Sequence, residues 1–113
     1  MKLARMIVLG LAVAAAACSD STGSGSTGGR STTITVGNNF FTPSPDTMAA
    51  GQVTFSWASG SSGHNVTWDS GPATLPANST TRSSGTYMAT LQAGTYQYHC
   101  SIHSGMNGRI VVQ

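Results

Sequence analysis

The sequence predicts an all-β domain, a Greek-key β-sandwich of about seven or eight short strands. Beyond residue 17, apolar side chains recur with a period of two, and no stretch repeats at helical spacing. The aromatic and β-branched residues fall in short runs, such as Thr33-Ile34-Thr35-Val36 and Gln52-Val53-Thr54-Phe55-Ser56-Trp57. Between those runs stand Gly, Pro, Asn and Ser, the residues that turn a chain.

Residues 1–17 read as an export signal. Lys2 and Arg5 give a positive start, and Met6–Ala17 is apolar apart from Gly10, ending in small residues. The apolar run is short for a transmembrane helix. Ala15-Ala16-Ala17-Cys18 resembles a bacterial lipoprotein processing site, with alanine where leucine is usual. That resemblance implies a lipid on Cys18. The alternative is an ordinary signal peptide cleaved nearby, leaving a soluble secreted protein. Residues 18–31 then form a Gly- and Ser-rich tether with almost nothing apolar to bury.

A folded domain is expected over residues 32–113. Thr33–Val36 makes a strand with Ile34 and Val36 on one face, and Gly37-Asn38-Asn39 turns the chain. Phe40-Phe41 is expected to re-enter the core, and Pro43 and Pro45 interrupt regular pairing. Thr47–Ala50 makes a short strand before Gly51. In Gln52–Trp57, the clearest strand, Val53, Phe55 and Trp57 point inward. Ala58–Gly63 is a loop, His64–Trp68 is extended, and Asp69–Thr81 is a long connection. Arg82–Gln92 holds one strand, with Tyr87, Ala89 and Leu91 alternating against Met88 and Thr90. Ala93-Gly94 reads as a hairpin turn. Thr95–Cys100 follows with Tyr96, Tyr98 and Cys100 on a single face, then Asn107-Gly108 turns into the last strand, Arg109–Val112.

Charge excludes some functions. Only 7% of residues are charged, and beyond the export signal Arg30, Arg82 and Arg109 balance Asp20, Asp46 and Asp69. No basic patch can hold nucleic acid, and no strong field can steer a partner from a distance. Cys18 closes the targeting segment and Cys100 lies in a loop with other donors, so no disulfide is expected.

That loop carries the chemistry. Cys100-x-x-His103-x-x-Met106 places a soft thiolate, an imidazole and a thioether within seven residues. This donor set suits copper, with strong in-plane thiolate and imidazole bonds and a weak axial thioether. A second imidazole is needed, and His64, at the start of an extended run, is the candidate. Taken singly, His64 is a solvent-facing loop histidine, Met106 a core filler and Cys100 a small buried hydrophobe. Together on a strand-to-strand loop they make a metal site. His99 alternates away from Cys100 and is given no metal role. Met48 and Met88 are expected to be packing residues. A cysteine hydrolase would need an oxyanion hole that nothing in the sequence supplies.

The chain is similar to the small blue-copper proteins of the cupredoxin family, in the plastocyanin, amicyanin and pseudoazurin branch. The similarity covers residues 32–113. It rests on Phe40-Phe41-Thr42-Pro43, Ala50-Gly51-Gln52-Val53-Thr54-Phe55, His64-Asn65-Val66, and Gly94-Thr95-Tyr96-Gln97-Tyr98-His99-Cys100-Ser101-Ile102-His103. The resemblance implies one copper ion held by His64, Cys100, His103 and the axial thioether of Met106. The His103–Met106 spacing is the short, amicyanin-like form. The resemblance also implies a brace from Asn65 to Ser101, and His103 as the ligand nearest the surface, beside Gly105. At Gly63, as in azurin, it implies a backbone carbonyl approaching the metal. With every ligand position filled, the expected activity is one-electron transfer outside the cytoplasm, not catalysis. A periplasmic copper carrier or storage protein on the same fold is the alternative. The expected partners are a redox protein donor and acceptor, with no nucleic acid. A monomer is expected, touching membrane only through lipid on Cys18.

Overall fold

The computed structural model describes residues 30–113. The expected export signal, Cys18 and most of the expected tether lie outside the described residues. Among the described residues every regular element is a strand: β1 Thr33–Gly37, β2 Phe40–Thr42, β3 Asp46–Met48, β4 Gly51–Trp57, β5 Thr67–Ser70, β6 Thr86–Leu91, β7 Gly94–His99 and β8 Asn107–Val112. They form two four-stranded sheets, ordered β2-β1-β4-β6 and β3-β8-β7-β5. β1 runs parallel to β4 and β3 parallel to β8; the other pairs are antiparallel.

Alternation builds the core between the sheets. Ile34 and Val36 of β1, Val53, Phe55 and Trp57 of β4, Ala89 and Leu91 of β6, Tyr96 and Tyr98 of β7, and Ile110 and Val112 of β8 are all buried. Burying side chains of this size contributes about 1.5–3 kcal/mol each relative to exposure. Phe55 is central, meeting Phe41, Trp68 and Tyr98 edge to face at centroid distances of 6.3, 5.9 and 5.1 Å.

Four expectations are corrected. Neighbouring strand residues face opposite ways, so only Phe41 enters the core; Phe40 is exposed and lies over Gly37 across the β1–β2 hairpin. Met88 is likewise on the outer face of β6, opposite Thr54, and packs into nothing buried. Ala93-Gly94 is a corner between sheets: β6 pairs with β4, whereas β7 pairs with β5 and β8. Asn107-Gly108 belongs to β8, facing His99 and Tyr98, because the ligand loop has already reversed the chain. Glycine is required at 108, where a Cβ would stand inside the Tyr98 ring.

Of the expected extended run His64–Trp68 only Thr67 and Trp68 are in a strand, β5, which runs on to Ser70; His64 forms a single antiparallel bridge with Arg82. The connection after β5 supplies the missing partners. Ser79 Oγ accepts from Val66 N at 2.7 Å, Asn78 Oδ1 accepts from Trp68 N at 2.9 Å, and Ser79 N donates to Val66 O at 2.9 Å. The buried backbone is thus paired without a ladder.

Candidate metal centre

β7 ends at His99, so Cys100 leaves the sheet with its side chain still on the inward face shared by Tyr96 and Tyr98. The loop closes on itself. Cys100 N donates to Met106 O at 2.9 Å, and Met106 N donates to His103 O at 3.3 Å. Met106 is buried beside Cys100, and His103 is partly exposed.

His64 arrives from the loop between β4 and β5. Its N donates to Arg82 O and its O accepts from Arg82 N, both at 3.0 Å, and Trp57 Nε1 donates to the same carbonyl at 3.3 Å. Arg82 in turn stacks over the Trp57 ring, 5.5 Å from its centroid. The His64 ring is fully buried.

Three donor atoms converge at this end of the sandwich. His64 Nδ1 lies 3.0 Å from His103 Nδ1, and Cys100 Sγ lies 3.9 Å from His64 Nδ1 and 3.6 Å from His103 Nδ1. A transition-metal ion about 2.0–2.3 Å from imidazole nitrogen and thiolate sulfur can bridge such separations. Burial first, and the charge of His103 second, push the His64 pKa below its ordinary value. The ring is therefore neutral at neutral pH, with a lone pair free to bind a cation. A thiolate with two imidazoles is a donor set that suits copper, and the cluster fits a single copper ion.

The expected brace is present. Asn65 Nδ2 donates to Ser101 Oγ at 2.8 Å and to Thr81 Oγ1 at 3.1 Å. Its Oδ1 accepts from Ser101 N at 2.9 Å and from Thr67 Oγ1 at 3.0 Å. One buried amide thus ties the residue after His64 to the residue after Cys100. His99 faces away, as alternation requires, and its Nδ1 pairs with Asp69 at 2.7 Å on the outer surface. Asn38, Trp57 and Arg82, which also hold His64, escape a sequence reading. Asn38 reads only as a turn former and the other two as ordinary strand or loop residues.

A family model for a cupredoxin-like domain matches residues 5–112. The chain belongs to that family. No curated protein matches this cupredoxin at significance. Solved structures do. A Cu-containing nitrite reductase from Thermus scotoductus SA-01 superposes with a TM-score of 0.62 at 24% identity, over 72% of this chain but only 22% of the reductase. A purple cupredoxin from Nitrosopumilus maritimus gives 0.61 at 22% identity, over 72% of this chain and 98% of that one. Both likenesses concern the fold alone. A reduced Cu(I) form of an amicyanin variant gives 0.58 at 25% identity, over 72% and 80% of the two chains.

Proposed function

We propose that this cupredoxin is a type 1 (blue) copper protein that carries single electrons between redox proteins outside the cytoplasm. His64, Cys100, His103 and Met106 would hold the copper ion. The observation that carries the reading is the convergence of two imidazole nitrogens and one cysteine sulfur within 3.9 Å of one another. Bound copper would supply one-electron chemistry, alternating between Cu(I) and Cu(II) in a geometry that both states tolerate.

The protein's own residues serve that chemistry by holding still and keeping water out. Cys100, Met106 and His64 are buried, and His103 is the partly exposed member of the cluster. A dry shell favours the less charged state of a bound metal. Around His103 the surface is small or apolar: Gly105 is exposed and Ile102 is half exposed. Such a patch supports brief docking with redox partners, consistent with the even balance of charge. With four protein donors assigned, no position is left for a substrate, which supports a carrier over an enzyme. The Lys2/Arg5 start, the apolar run to Ala17 and Cys18 support export and lipid anchoring of a monomer at a membrane.

Cu(II) added to the purified protein should produce an intense visible thiolate-to-copper band. Cys100→Ser should abolish it, and reversible voltammetry should follow one electron. Tight copper binding with no such band would favour a copper carrier or store and overturn the proposal.

A further inference from the structure

The far side of the His64 ring faces Asn38, in the β1–β2 turn. Asn38 Oδ1 lies 2.9 Å from Ser62 N, 3.1 Å from Ser62 Oγ and 3.1 Å from His64 Nε2. Ser62 Oγ is also 3.3 Å from His64 Nε2. The two ends of an asparagine amide are easily interchanged, and so are the two protonation sites of a neutral imidazole. Here the backbone settles both. The Ser62 N–H can only donate, so the Asn38 atom facing it is the oxygen. That same oxygen faces His64 Nε2, which must therefore carry its proton. A neutral ring protonated at Nε2 has its lone pair on Nδ1, the atom that faces Cys100 Sγ and His103 Nδ1.

The placement is built by the backbone. Val36 O accepts from Ala58 N at 2.9 Å and from Ser61 Oγ at 3.2 Å, which pins the loop before His64 to the end of β1. Asn38 then follows Gly37, at the exposed mouth of the turn, with its amide directed inward to Ser62 and His64.

The geometry assigns Asn38 as a positioning residue. By accepting a hydrogen bond from Nε2–H, it fixes the tautomer and the ring plane of His64, and so would present Nδ1 to the metal. This deepens the copper-site reading and rests on it, because His64 Nδ1 matters only if a metal binds there. Partners of this kind are worth about 10–100-fold in metal affinity.

The test uses the full chain and two probes. Long-range nitrogen–proton NMR on the metal-free protein at neutral pH should show His64 as a single Nε2–H tautomer, with slow exchange of that proton. Zn(II) binding, measured by chelator competition, should weaken about 10–100-fold in Asn38→Ala. Asn38→Asp keeps the acceptor and should restore it. Ser62→Ala, which removes only the hydroxyl, should stay near wild type. A wild-type His64 protonated at Nδ1 would overturn the assignment, as would Asn38→Ala binding Zn(II) within about twofold of wild type. If Asn38→Ala fails to fold, the wild-type tautomer alone decides. If wild type binds neither Zn(II) nor copper, the metal site is refuted, and the same NMR result still judges Asn38.

Discussion

Asn65→Ala should loosen the join between the two ligand segments, and the cost can be worked from its bonds. The side chain is 6% exposed and makes four hydrogen bonds, two to Ser101 and one each to Thr81 and Thr67. At about 0.5–1.5 kcal/mol net for each, the full set is worth about 2–6 kcal/mol. Ser101 and Thr81 are exposed, so their hydroxyls return to water once released. The Ser101 N–H is fixed in direction by the backbone and loses most. These considerations place the loss near the lower end, about 2–3 kcal/mol, including the small void left behind. With a urea slope of about 1–3 kcal/mol per molar, the unfolding midpoint of the metal-free protein should fall by about 1–3 M.

The assay is urea unfolding followed by Trp fluorescence, with Ser101→Ala and the double variant completing a cycle. The coupling between Asn65 and Ser101 should come to about 1 kcal/mol. Amide exchange at Ser101 should rise in Asn65→Ala ahead of global unfolding. A loss under about 0.5 kcal/mol, the range of an ordinary surface change, would refute the reasoning. It would mean that the two backbone bonds within Cys100–Met106 hold the loop unaided.

Asp46 and Gly108 give two further tests. Burial raises the Asp46 pKa above the ordinary carboxylate value against the pull of the Ser31 and Thr47 N–H groups, and burial together with the Asp46 charge pushes the Tyr98 phenol up as well. A carboxyl whose folded pKa is raised contributes stability below the unfolded value that is lost as pH rises through the folded one. Asp46 Oδ2 and Tyr98 Oη are both buried without a hydrogen-bond partner. Asp46→Asn should therefore gain about 1 kcal/mol at neutral pH and flatten the acid side of the stability profile, read by thermal unfolding across pH. An unchanged slope would sink this account. Gly108→Ala puts a methyl where the Tyr98 ring lies and should cost about 2–3 kcal/mol in urea unfolding, whereas a near-neutral result would show that the ring moves freely aside.

The legible parts of this molecule were those written as local pattern. Alternation placed Val53, Phe55, Trp57, Tyr96, Tyr98 and Cys100 on inward faces, and the donor spacing singled out Cys100, His103 and Met106. The distant His64 was reachable only because a sandwich brings remote strands to one end. Pairing was not legible. The run Ala93-Gly94 reads the same whether the chain folds back as a hairpin or crosses to the facing sheet, and the parallel β1–β4 and β3–β8 pairs leave no local mark. Phe40 and Met88 show the limit of composition, since an apolar side chain next to a buried one has no inward face left to occupy.

The least legible layer is what keeps the donors still. His64 is held at its backbone by Arg82, at its carbonyl by Trp57 and at its ring by Asn38. The opposing loop is held by Asn65 and by its own two backbone bonds. Asn65, next to His64, was expected from the resemblance, but Asn38, Trp57 and Arg82 come from three separate stretches with no fixed spacing to the ligands, so only the folded chain reveals them. Their joint effect is a donor cluster fixed from both sides, with the two imidazole nitrogens 3.0 Å apart. A cluster braced on both sides resists displacement of its donor side chains.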